Sequence, residues 1–216
     1  MPRSIKIDFI SDVSCPWCAI GLKGLEEALS RTSGLLDAKI VLQPFELNPE
    51  MPRGGEDNVE YVARKYGLTA EQAASNRKTI RSRADAVGLD MAALDTRRLY
   101  NTFDAHRLLH WAQLEGRQLA LKHALFDAHF KDGRDISSHD VLVDAAEQAG
   151  LDGKTANQIL ASDRYSEDVR SAEELWLSRG IQSVPTVIID DRYLISGGQP
   201  PAAFEQALRQ IADQEP

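Results

Sequence analysis

From Ile5 to Phe9 the chain alternates Ile-Lys-Ile-Asp-Phe, and Ile10 extends the run to the polar Ser11 and Asp12, which predicts a first strand over 5–10. Pro16 has no backbone donor and a φ already set for a first helical turn, so a helix is expected from there through Ile20, Leu22, Leu25 and Leu29 towards Ser33 and Gly34. Residues 38–45 form a second strand-like run, and its Pro44 suits an edge position or a strand end. Strand, helix, strand opens a parallel unit. Residues 51–57 (Met-Pro-Arg-Gly-Gly-Glu-Asp) read as a linker. From about 58 to 180 the periodicity is helical, with breaks near Gly67, Gly88, Gly116, Gly133 and Gly150 to Gly153, enough for six or seven helices.

Past Gly180 the texture returns to strand. Residues 184–189 are a β-branched run, Asp190 and Asp191 a turn, residues 192–195 a short return strand, and 202–211 a closing amphipathic helix. The order is βαβ, a helical block, then ββα: one split α/β domain over residues 1–50 and 181–216 around a helical guest over 51–180.

A chain of 216 residues buries a full core without crosslinks. A formal net charge of −8 argues against nucleic acid and anionic membranes as partners. The basic cluster Arg77, Lys78, Arg81 and Arg83 has helical spacing and reads as a solvated face. There is no signal-like leader and no run long enough for a membrane span, so the expected location is the cytoplasm, where thiols stay reduced. Two cysteines three residues apart then need a reason other than stapling.

If Pro16 opens the helix, Cys15 is its N-cap and Cys18 lies one turn in. There the helix dipole and the amides of Trp17 and Cys18 would favour a thiolate at Cys15, the nucleophilic form, with Cys18 placed to displace whatever Cys15 captures. A static disulfide across so short a ring would contribute only about 2 kcal/mol against roughly 4.7 for a long loop. A structural zinc site wants four ligands, and no further cysteine exists, so no metal is expected. Trp17 between the cysteines is either an exposed substrate platform or a packed cap. His106 and His110 share i,i+4 spacing without an HExxH pattern, which leaves packing or a cleft role. Gly197 and Gly198 suit a turn or bulge, and Pro185 by itself reads as the trans start of an edge strand.

The segments Phe9-Ile10-Ser11-Asp12-Val13, Cys15-Pro16-Trp17-Cys18-Ala19-Ile20-Gly21, Asn101-Thr102-Phe103-Asp104-Ala105-His106-Arg107-Leu108 and Val184-Pro185-Thr186 together resemble the FrnE-like branch of the DsbA-family oxidoreductases. The resemblance spans the chain. It implies a thioredoxin fold with a large all-helical insertion, and thiol–disulfide oxidoreductase or isomerase activity on a protein or small thiol. It further implies Cys15 as attacking thiolate, Cys18 as resolving thiol, and a cis Val184–Pro185 bond that sets Pro185 beside the cysteines. The Val184 backbone is then free to pair with an extended substrate. Asn101, Asp104 and His106 become candidates for lining the cleft beneath the insertion. No cofactor is expected to be tightly bound, glutathione is a candidate co-substrate, and a homodimer is an open expectation since relatives often dimerise. The related kappa-class glutathione transferases and 2-hydroxychromene-2-carboxylate isomerases carry serine where Cys15 stands. The other readings are glutathione-dependent chemistry on a small aromatic compound and a chaperone-like binding module.

Overall fold

The computed structural model describes residues 2–52 and 54–214. Met1, Arg53 in the expected linker, and Glu215 and Pro216 at the end of the expected split domain lie outside the described residues. Strand β1 (Arg3–Ser11) leads into helix α1 (Pro16–Arg31) and strand β2 (Leu36–Pro44); the last two strands are β5 (Thr186–Ile189) and β6 (Tyr193–Ser196), followed by α9 (Pro201–Ala212). They form one four-stranded sheet in the order β2-β1-β5-β6. β1 runs parallel to β2 and antiparallel to β5, and β5 and β6 make a hairpin. Pro44 closes an edge strand, where its missing donor costs no ladder bond. The hairpin turn is made by Asp190 and Asp191, both at positive φ, a conformation their short side chains tolerate. This is the thioredoxin-like architecture, with α1 and α9 packed together.

Between β2 and β5 lie helices α2 (Asn58–Tyr66), α3 (Ala70–Ala86), α4 (Phe103–Leu114), α5 (Gln118–Phe126), α6 (His139–Gln148), α7 (Gly153–Leu160) and α8 (Ser166–Ser178), with one π-helical turn at Asp127–Lys131. The segment is not wholly helical. Inside the stretch expected as linker, β3 (Glu56–Asp57) pairs antiparallel with β4 (Arg98–Leu99). Gly55 permits it: at φ 67 its missing Cβ would stand 2.1 Å from the Leu99 carbonyl oxygen. The Arg98 guanidinium donates to the carbonyls of Gly54 and Gly55 and ties the same corner. Asp57 then caps α2 by accepting from the Val59 and Glu60 amides.

Two apolar clusters hold the fold. The larger joins sheet residues such as Ile7, Phe9, Val187 and Ile189 with Phe204 of α9 and with Leu108, Leu121, Phe130 and Leu142 of the helical segment. The smaller packs Ile10, Phe45, Trp176 and Ile181.

Candidate active site

The polar end of β1 delivers Cys15 to the start of α1, where it has extended backbone (φ −89°, ψ 114°) and Pro16 follows in the first helical turn. Its carbonyl takes the first helical bonds, from Cys18 N at 3.1 Å and Ala19 N at 3.4 Å. The expected side-chain cap is absent: the sulfur accepts from neither the Trp17 nor the Cys18 amide. It faces the Val184 carbonyl oxygen instead, 3.9 Å away, because an S–H points to an acceptor whereas the N-cap amides are donors. Both cysteines are free thiols. Cys15 is only 4% exposed, yet it lines a cavity of about 580 Å³ together with Trp17 and Val184. Cys18 is sealed beneath it, and burial together with the neighbouring Cys15 raises its thiol well above the usual range.

The Val184–Pro185 bond is cis. Val184 makes no backbone-to-backbone hydrogen bond among the described residues, and its carbonyl meets only the Cys15 sulfur. Pro185 is buried on the far side of the same junction, where its Cγ would stand 3.1 Å from a Cβ at Gly21. Gly198 is required by close approach: a Cβ there would stand 2.7 Å from the Trp17 carbonyl oxygen, while the positive φ belongs to Gly197. Trp17 combines the two roles expected of it separately, being half-buried against the core and part of the cavity wall.

Asn101, Asp104 and His106 do not line this cavity, contrary to expectation. Asn101 ties the loop after β2 to the head of α4: it donates to the Pro49 carbonyl at 3.2 Å and accepts from the Phe103 amide at 2.9 Å. Asp104 accepts from Arg107 and faces His139. His106 projects from α4 into the interior, where its Nε2 lies 3.5 Å from Asp12 Oδ1, too long for a well-made hydrogen bond. For His106 the direction is set by α4: a side chain on its buried face cannot also face the cavity under α2 and α3.

Four residues enter the site without having been singled out. Asp12 is fully buried and accepts from the Ser14 hydroxyl and the Leu47 amide. Burial alone would raise its carboxyl, but His106, the Leu47 amide and Lys122 outweigh that and bring it down to about 2. Lys122 of α5 is also fully buried, its Nζ without a hydrogen-bond partner among the described residues. Burial lowers its ammonium to about 8, opposed by attraction to Cys18, Asp12 and Cys15. Arg97 is buried against the cavity and donates from Nε to His129 Nε2 at 3.1 Å. His129 sits on the π-helical turn, and burial followed by the Arg97 charge holds it well below its usual range, as a neutral acceptor. The sequence signal was faint: a lysine inside Leu-Ala-Leu-Lys-His-Ala-Leu, and an aspartate three residues before the first cysteine. Arg77, expected on a solvated face, lines the cavity as well and pairs with Asp95 at 3.5 Å.

Known proteins resemble the chain in sequence and fold. The "probable DsbA oxidoreductase" of Streptomyces coelicolor is 33% identical, with 98% of this chain and 92% of that chain covered and a TM-score of 0.91. The uncharacterized protein YwbO of Bacillus subtilis is 27% identical over 206 residues, 95% of this chain and 96% of its own length. The 2-hydroxychromene-2-carboxylate isomerase structure shares the fold at 16% identity, with a TM-score of 0.72 and 95% of both chains covered. The cytosolic disulfide reductase DsbM of Pseudomonas aeruginosa, solved with GSH, does so at 16% and 0.64, covering 97% of this chain and 100% of that one. The profile of the DSBA-like thioredoxin domain matches residues 6–209, and the chain belongs to that family.

Proposed function

We propose that the protein is a thiol–disulfide oxidoreductase that exchanges disulfides through Cys15 and Cys18. The observation that carries this reading is the placement of the two sulfurs. Cys15 opens onto a cavity at the amino end of a helix, opposite the Val184 carbonyl, while Cys18 waits sealed one turn behind it with its thiol held protonated. In the reductive direction the Cys15 thiolate attacks one sulfur of a substrate disulfide. That S–S bond breaks and the second sulfur leaves as a thiolate. Cys18 gives up its proton and attacks Cys15, so the mixed disulfide resolves to a Cys15–Cys18 disulfide and two electrons reside on the substrate thiols. Run backwards, the same steps deliver a disulfide. The direction follows the relative reduction potentials of pair and substrate.

Val184 is proposed to align the substrate through its backbone, Trp17 to pack against it, and Pro185 to hold the strand end against the cysteines. Glutathione is proposed as a co-substrate and the cytoplasm as the location, by analogy with the cytosolic reductase solved with GSH. Among the described residues no helix is long and apolar enough to cross a membrane.

The test is insulin reduction and refolding of a scrambled disulfide protein by wild type, Cys15→Ser and Cys18→Ser. Wild type is expected to be active and Cys15→Ser inert. Cys18→Ser is expected to accumulate a mixed disulfide visible by mass. Equal rates in wild type and Cys15→Ser would remove Cys15 from the chemistry.

A further inference from the structure

The cavity beside Cys15 has a charge pattern opposite to that of the whole molecule. The chain carries a net charge of −8, yet no carboxylate lines the cavity among the described residues, while Lys65, Arg77 and Arg97 all do. Arg77 pairs with Asp95, which it shares with Arg81, and Lys65 Nζ is bonded to the Leu47 carbonyl and the Asn48 side-chain oxygen. Arg97 differs from both. The residue is 4% exposed, and its guanidinium lies 4.9 Å from the centre of the Phe130 ring. Nη1 donates to the Leu94 carbonyl at 2.9 Å and Nε to His129 at 3.1 Å. No carboxylate is within salt-bridge distance, and Nη2 has no partner among the described residues although it is not sealed off.

A buried, fixed guanidinium with free donors is costly unless something anionic completes it. Its two anchors hold the fork in one orientation, as recognition of a planar carboxylate requires. The His129 anchor is itself supplied by a π-helical turn, a local irregularity frequent at functional sites. The rest of the wall is mostly apolar, with Leu68, Ile80, Leu94 and Leu99 prominent beside neutral polar side chains such as Asn58, Asn76 and Thr79, and about 580 Å³ is the size of a small-molecule site.

We propose that this cavity binds a low-molecular-weight disulfide with an apolar body and a carboxylate, and that Arg97 receives the carboxylate while Cys15 attacks the sulfur. The inference rests on the exchange function proposed above and names its substrate class. The reaction is the one already balanced: the substrate S–S bond breaks, its two sulfurs leave as thiols, and the enzyme pair is oxidised.

The experiment is a single turnover of the reduced enzyme with the disulfide of para-mercaptobenzoate and, separately, with its bis-carboxamide. Each rate constant is divided by that of mercaptoethanol on the same compound, which removes intrinsic reactivity. The wild-type preference for the carboxylate is expected to be about tenfold or more, the scale of a charge-assisted pair. In Arg97→Gln the ratio is expected to fall to about one, and Arg97→Lys should keep part of it. A wild-type ratio at or below one overturns the proposal, as does a ratio that persists in Arg97→Gln. Because Arg97 also braces the fold, a second measurement needs no variant of it: para-toluate should bind Cys15→Ser calorimetrically and para-toluamide should not, and equal binding of the two, or none, overturns the site. A wild type no faster than mercaptoethanol on either disulfide and also inert on insulin would overturn the exchange function itself. That outcome is distinct from reduction without preference, which removes only the carboxylate site.

Discussion

Beneath the cysteine pair two opposite charges are buried together, and each leaves a mark on stability against pH. Asp12 titrates near 2 in the folded chain against an ordinary 3.8, so its carboxylate stabilises the fold above pH 4 and that contribution is lost as pH falls towards 2. It amounts to about 2 kcal/mol. Urea unfolding of wild type and Asp12→Asn should therefore differ in slope between pH 4 and 2, and parallel curves would place the source of acid sensitivity elsewhere. Lys122 has the opposite sign. Its folded value of about 8 lies below the ordinary 10.5, so the ammonium costs the folded state about 3 kcal/mol below pH 8, and the cost fades as pH rises from 8 to 10.5. Wild type should gain on Lys122→Met over that window. The difference is expected to be of that order, and no change with pH would mean that the lysine is not buried as a charge.

At the scale of the element, helix α1 is shaped by what it approaches as well as by its own propensity. Its Gly24 would place a Cβ 2.9 Å from the Gln199 carbonyl oxygen, just before α9. Alanine is the better helix former by about 1 kcal/mol, which by itself favours Gly24→Ala. The clash with backbone should outweigh it, giving a net destabilisation of about 1–3 kcal/mol in equilibrium unfolding. A stabilised variant would show that α1 and α9 can part without cost. The helices above the cavity are fixed differently. α2 depends on its Asp57 cap and on the two-residue ladder of β3 and β4, a weak frame. Asp57→Ala is expected to lose about 1 kcal/mol and to speed alkylation of Cys15 by iodoacetamide, since α2 forms one wall of that cavity.

Across the whole molecule, one apolar cluster runs from the sheet through α1 and α9 into α3, α4, α5, α6 and α7. The chain ends are tied to the same sheet: Arg3 donates to the Ile211 carbonyl and pairs with Asp190, and the Asp190 side chain accepts from the Lys6 amide. Continuity of this kind predicts that the helical segment does not melt apart from the sheet. Fluorescence of Trp17, in a chain with Trp111→Phe and Trp176→Phe, and far-ultraviolet ellipticity should give one urea midpoint. Two separated transitions would show that the segment is an independent folding unit.

What could be read from the residues in order was whatever depends on local periodicity and local backbone chemistry. The alternation at 5–10, the proline after Cys15, the paired aspartates at 190 and 191 and the 3.6-residue rhythm between them fix strands, helices and turns within a few residues, because those patterns act over one or two turns of chain. They also fix the cysteines at a strand-to-helix junction. Burial and pairing across the fold belong to the tertiary structure alone. It sent His106 and Asn101 away from the cavity, turned the Cys15 sulfur to Val184, and buried Asp12 and Lys122 together although 110 positions separate them in sequence. It also bared Arg97 to the cavity. Whether a charged side chain meets water, a partner or an empty cavity depends on which segments pack around it, and one residue's neighbours along the chain do not carry that information.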